Sequence, residues 1–137
     1  MPSIRCTASQ LRQIGGAISV LFIVGCSRSQ QPPLGLVRGT VRLDDQALAN
    51  ATVRFTPAGP GRTSEGTTNA DGHYELRYLR DIPGANIDQH IVRITTANES
   101  NGGREILPPR YHARSQIEAR VVTGTNDLNF DLRSQGP

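Results

Sequence analysis

The sequence of 137 residues contains no tryptophan and no lysine, and only 4% of its residues are aromatic. A core with so few rings must be built mainly from Val, Ile, Leu and Ala, and the length allows one small domain. All 15 basic residues are arginine, and the formal net charge is only +3. Nucleic-acid-binding proteins concentrate a larger surplus of positive charge on one face, so the composition does not predict a nucleic-acid partner.

Long apolar runs are also missing. The uncharged run at residues 14–24 is shorter than the roughly 20 apolar residues that a membrane-spanning helix needs. Arg5 and Arg12 precede this run and no acidic residue does, which is the pattern of a secretory signal. A buried helix or strand is the alternative, and the absence of regular polar alternation within the run disfavours it.

The apolar run ends in Ile23-Val24-Gly25-Cys26, which resembles the bacterial lipobox. The resemblance implies cleavage before Cys26, a diacylglycerol on its thiol and an acyl chain such as palmitate on the new amino terminus. Two or three acyl chains hold a protein firmly, so membrane lipid is the expected partner of Cys26. Ser27, where Asp would indicate inner-membrane retention, favours the periplasmic face of the outer membrane.

Only two cysteines occur in the chain, Cys6 and Cys26. Cleavage removes Cys6 and lipid consumes Cys26, so the mature domain is expected to contain no disulfide. A Cys6–Cys26 bridge would require that the signal is retained. The predicted organisation is a lipoprotein signal peptide at 1–25, a lipidated tether at 26–35, a domain at 36–133 and a tail at 134–137.

From Leu36 onward apolar and polar residues alternate with a period of two, which is typical of half-buried strands. Turn residues such as Asp44-Asp45, Pro60-Gly61 and Pro83-Gly84 separate the alternating segments. About seven strands result, and no segment has a helical period. The fold class is therefore predicted to be all-β, a seven-stranded β-sandwich of two sheets.

Three motifs resemble the carboxypeptidase regulatory-like domain: Gly39-Thr40-Val41, residues 48–53 (LANATV) and residues 67–76 (TTNADGHYEL). The resemblance implies a transthyretin-like, or prealbumin-like, Greek-key sandwich and no single activity. Asp71 and Gly72 are expected to close a tight hairpin. Gly39 is expected to let the first strand bend or lie close to another backbone. The family often has Gly and Pro where this chain has residues 45–47 (DQA), which leaves the type of the first turn open.

The sequence contains few of the residue patterns that are typical of catalytic sites. The three histidines, His73, His90 and His112, have no zinc-site spacing, and polar outward positions are expected for them. No G-x-S-x-G elbow is present. The segment from Asn69 to Gly72 is interpreted as a turn rather than a calcium loop, because the other acidic ligands are missing. The chain also lacks the C-terminal Tyr-Arg-Gly-Ser motif of 5-hydroxyisourate hydrolase, an enzyme with the transthyretin-like fold. No catalytic residue, metal or cofactor is predicted.

Two features remain as candidates for binding. The longest loop, residues 97–114, contains Arg110, Tyr111 and His112, which could stack on a sugar or contact an acidic partner. Alternatively, Tyr111 simply packs at the edge of the sandwich. Outward-facing arginines could bind acidic polysaccharide or phospholipid, but interspersed acids favour the interpretation of a solvated face. The acids considered are Glu75, Glu118 and Asp131.

These observations predict a non-enzymatic, lipid-anchored lipoprotein of the cell envelope that serves as an interaction or structural module. The expected partner, apart from membrane lipid, is an envelope protein or glycan of unknown identity. The alternative is a carbohydrate-binding module of the envelope.

Overall fold

The computed structural model describes Gly25 and residues 31–135. Within these residues, ten-residue strand β1 and eleven shorter strands follow in chain order, with two 3-10 turns at Glu99–Asn101 and Pro109–Tyr111. The strands are β1 (Leu34–Leu43), β2 (Gln46–Ala47), β3 (Thr52–Pro57), β4 (Ser64–Thr67), β5 (His73–Glu75), β6 (Arg77–Leu79), β7 (Ile82–Pro83), β8 (Ala85–Asn86), β9 (Gln89–Thr95), β10 (Ile117–Arg120), β11 (Thr125–Asp127) and β12 (Phe130–Leu132). The part of the chain that the structure describes contains no helix long and apolar enough to cross a membrane.

The first sheet is organised around β1. On one side β11 and β12 pair with it in parallel, and they share one register because Leu36 lies opposite Thr125 and Val41 opposite Phe130. On the other side β8, β5 and β2 pair with β1 antiparallel, one after another along its length. Every other residue of β1 therefore faces the interior, which explains why Val37 and Val41 are buried.

The second sheet has the strand order β10-β9-β3-β4-β6-β7, and all its pairs are antiparallel. Strand β9 returns from the far side to lie beside β3, which gives the spatial order β9-β3-β4-β6. This is the arrangement of a Greek key. The prediction of an all-β sandwich is confirmed.

The core lies between the inner faces of the two sheets. Phe55, Leu76 and Ile94 are its largest fully buried apolar side chains. The phenol of Tyr74 donates a hydrogen bond of 2.6 Å to the Leu128 carbonyl, and burial raises its pKa. Its ring lies 6.2 Å from that of Phe130. Three of the six aromatic residues, Phe55, Tyr74 and Phe130, thus pack together in the core.

The structure corrects several details of the sequence-based prediction. Strand β1 begins at Leu34, inside the segment assigned to the tether. The alternation of polar and apolar residues from His73 to Tyr78 predicts one continuous strand. The structure divides this segment at Leu76: β5 pairs with β1 in the first sheet and β6 with β4 in the second. His90 is not outward but fully buried. The polarity of imidazole suggested the surface, whereas its position two residues before Val92 places it on the inner face.

The closeness predicted at Gly39 is confirmed. A Cβ atom added there would lie 1.9 Å from the Leu128 carbonyl oxygen, far inside van der Waals contact. The strand pair between β1 and the chain around Leu128 therefore requires glycine at this position.

Candidate functional site

The long loop at residues 97–114 is fastened to the sandwich by Glu105. Its carboxylate accepts hydrogen bonds from the hydroxyl groups of Thr95 and Thr96, and from the backbone N–H groups of Thr96 and Leu107 at 3.0 Å. Burial of the carboxylate alone would raise its pKa, but these hydrogen bonds outweigh that effect and lower the pKa to about 2. Glu105 is therefore a charged structural anchor of the loop at neutral pH.

The three predicted binding residues lie together on this loop, and each has a partner within the chain. The Tyr111 hydroxyl accepts a hydrogen bond of 2.9 Å from the Arg133 backbone N–H. The Arg110 guanidinium lies over the Tyr111 ring, 4.9 Å from its centroid, and donates to the Arg133 carbonyl at 2.6 Å. The His112 ring nitrogen Nε2 lies 3.1 Å from the Leu107 carbonyl. The contacts of Arg110 and Tyr111 hold the end of β12 against the loop, and ligand binding by the three residues stays a prediction.

The chain beyond β12 is also attached. The Arg133 guanidinium forms an ion pair of 2.9 Å with Asp45. The Ser134 N–H and hydroxyl donate to Asp44, and these bonds hold the pKa of that carboxyl below its usual range. Residue 134, assigned to the tail, is thus attached to the turn after β1.

Asp71 and Gly72 form a turn, as expected, but the turn does not close a hairpin, because it connects β4 of the second sheet to β5 of the first sheet. Gly72 has a φ of 77°, which favours glycine, and its N–H donates to the Asn69 carbonyl at 2.9 Å. The Asn69 side chain accepts hydrogen bonds from the N–H groups of Asp71 and His73 at 2.9 and 3.0 Å. The side-chain oxygen of Asn69 is thus bonded to the backbone of the same segment, and this arrangement is that of a turn.

An unusual row of charges crosses the outer face of the second sheet. Arg93 of β9 lies directly opposite Arg54 of β3, Arg54 lies opposite Glu65 of β4, and Glu65 lies opposite Arg77 of β6. We call these four residues the arginine row. All four are exposed, and they alternate with buried residues such as Phe55 and Val92. The sequence did not predict this row, since register between distant strands cannot be read from the alternation within each strand.

An open groove of about 890 Å³ lies at the β6 end of this row. Glu65, Arg77 and Tyr78 line it together with Arg62 and Arg80. The Arg62 guanidinium lies over the Tyr78 ring, 5.7 Å from its centroid. Positive charge and one half-buried aromatic ring thus meet in a concave surface.

Buried polar groups occur at one end of the core, but they do not form a recognisable catalytic arrangement. The His90 ring nitrogen Nε2 lies 2.7 Å from the Asn86 carbonyl, and its ring lies 5.6 Å from that of Phe55. Among residues 31–135, no carboxylate is hydrogen-bonded to this histidine. Among the described residues, no group of three or more His, Cys, Asp or Glu side chains is arranged to hold a metal ion.

No family model and no curated protein matches the chain. Among solved structures, the chain is similar to a DUF3823 family protein from Parabacteroides merdae, with a TM-score of 0.44 and 12% sequence identity. The similarity covers 74% of this chain and 46% of that chain, so this chain corresponds to about half the length of that protein.

Proposed function

We propose that this protein is a lipid-anchored lipoprotein of the cell envelope, whose β-sandwich acts as a non-enzymatic interaction module. The observation that carries the proposal is the sequence Ile23-Val24-Gly25-Cys26 at the end of an uncharged run. Except for Gly25, the signal segment, Cys26 and the first part of the tether lie outside the described residues. The motifs at Gly39–Val41 and residues 67–76 support a carboxypeptidase regulatory-like, transthyretin-like domain.

The position of the first strand supports this anchoring. Cys26 precedes Leu34 by eight positions. A fully extended chain of eight residues spans at most roughly 28 Å. At this end of β1, the Ile87 N–H donates to the Pro33 carbonyl. The Asn126 amide bonds to the carbonyls of Leu36 and Val122. The exposed side chains of Leu36, Ile87 and Val122 suit a domain end held near lipid.

Fatty-acid labelling in cells tests the anchor. The wild-type chain is expected to incorporate a labelled palmitate analogue and to remain with the membrane fraction after a salt wash. The Cys26→Ala variant is expected to remain unlabelled and to accumulate as a larger precursor, because the thiol that receives the diacylglycerol is missing. A variant at a serine in the same segment, Ser29→Ala, is the matched control. Equal labelling of the Cys26→Ala variant would exclude the anchor.

A carbohydrate-binding role is the second candidate, and the arginine row with its neighbouring groove favours it. The internal contacts of Arg110, Tyr111 and His112 favour a structural role for the loop, so the row is the better surface for a ligand. Binding of envelope glycans by the wild-type protein, tested by coprecipitation with purified cell-wall fractions, would support this candidate.

A further inference from the structure

We propose that the outer face of the second sheet, from Arg93 to the groove around Tyr78, binds an acidic polysaccharide. The inference deepens the proposed function, because it names the class of partner that an envelope interaction module would hold. It depends on the register of the second sheet and on the charges that this register places side by side.

The arginine row carries more positive charge than its own acids balance. The Arg54 guanidinium forms an ion pair of 3.1 Å with Glu65, and both side chains are more than half exposed. Arg93 lies opposite Arg54 with no carboxylate across from it in the register. Like charges directly opposite each other in a sheet are unfavourable. A bound anion between these guanidinium groups would remove that repulsion.

The groove extends the positive surface beyond the row. Together the row and the groove contain five arginines, Arg54, Arg62, Arg77, Arg80 and Arg93, against two acids, Glu65 and Glu75. Of the other acids that were expected to dilute this charge, Asp131 belongs to β12 in the first sheet. Glu118 lies on β10 opposite Ile91, diagonal to Arg93 at the end of the row far from the groove, and Arg120 of the same strand, opposite Gln89, offsets its charge.

The shape and the neighbouring side chains favour a polysaccharide over a lipid surface. Neighbouring strands are about 4.8 Å apart, so the four residues of the row extend over roughly 14 Å and match an extended chain. Threonine hydroxyls flank the row on both sides and are able to exchange hydrogen bonds with sugar hydroxyls. They belong to Thr52, Thr56, Thr63 and Thr67. The concave groove admits a chain, whereas a flat bilayer cannot enter it.

Binding of the full chain to polygalacturonate, a uronate polymer, tests the proposal, with neutral dextran as the reference. The test variant is Arg77→Gln/Arg93→Gln, which leaves the Arg54–Glu65 pair in place. The control variant Arg104→Gln/Arg114→Gln removes the same charge from exposed loop positions. We expect the Kd to rise about tenfold in the test variant and less than about twofold in the control, at equal melting temperatures.

The variant Glu65→Gln is expected to change the affinity for polygalacturonate in the opposite direction. Loss of its carboxylate leaves Arg54 free for the polymer, so binding is expected to tighten about two- to threefold. Added salt is expected to weaken binding of every variant, since the charges are exposed.

Three results would overturn the proposal: equal loss of binding in the test and control variants, binding of dextran as tight as that of polygalacturonate, or binding only to vesicles containing phosphatidylglycerol. Lipidation of Cys26 is measured separately. A lipidated protein with equal losses in both double variants contradicts the polysaccharide inference alone. An unlipidated protein that binds through the row contradicts the anchor alone.

Discussion

Replacement of Glu105 by glutamine perturbs the anchor of the long loop with almost no change in side-chain shape. In the native chain the carboxylate accepts hydrogen bonds from Thr95, Thr96 and Leu107. The amide NH₂ group of glutamine cannot accept, so donors that faced the second carboxylate oxygen are left without a partner. The variant Glu105→Gln is therefore expected to be less stable than the wild type at neutral pH.

The magnitude follows from the pKa of this carboxyl group, which folding lowers from 4.5 to about 2. A shift of this size corresponds to at most about 3 kcal/mol, and screening by water at this partly exposed site reduces it to about 1–2 kcal/mol. For a domain of this size, the melting temperature should fall by about 5–10 °C.

The pH dependence has a definite sign. Because the pKa is lowered in the folded state, the stabilisation is complete above pH 4.5 and is lost as the pH falls towards 2. Thermal melts followed by circular dichroism between pH 7 and pH 2 should therefore converge for wild type and Glu105→Gln at the acidic end. Glu99→Gln, an exposed position of the same loop, is the control. Parallel curves for wild type and Glu105→Gln across this range would refute the reasoning.

Three further substitutions test the packing. Gly39→Ala places a Cβ atom 1.9 Å from the Leu128 carbonyl oxygen and should cost about 3 kcal/mol in urea unfolding; an unchanged midpoint would contradict the close approach. Tyr74→Phe leaves that carbonyl without its phenol donor, so calorimetry should show a loss of about 1 kcal/mol, and no loss would contradict the bond. Tyr111→Phe should lower the melting temperature by a few degrees through loss of the Arg133 contact and leave polygalacturonate binding unchanged; weakened binding would return the ligand site to the loop.

Alternation within single strands was sufficient to predict the sandwich. In β3 and β9, apolar residues at every second position become the inner face, and this pattern needs no knowledge of the neighbouring strand. The division of the segment at residues 73–78 between two sheets was missed, because the alternation continues through Leu76 without interruption. The same parity that buries Val92 and Ile94 also buries His90, which the polarity of imidazole does not indicate.

The proposed binding surface was less accessible to sequence reasoning. Arg54 and Arg93 are far apart in the chain, and only the β3–β9 register places them opposite each other. Glu105 lies in a loop without periodicity, and its partners Thr95 and Thr96 end the preceding strand region. The one available signal was a carboxylate in a long loop between a Thr-Thr pair and Pro108-Pro109. Such a signal is common in loops, and it does not specify which N–H groups the carboxylate will meet.

The intact mass of the protein isolated from the membranes of its own cells tests the proposed anchoring most directly. We expect a chain that begins at Cys26 and carries a diacylglycerol together with an acyl chain on its amino group. Fragmentation should place all the added mass on that first residue. A chain that retains residues 1–25, or one that carries no lipid on Cys26, would contradict the proposal of a lipid-anchored envelope module.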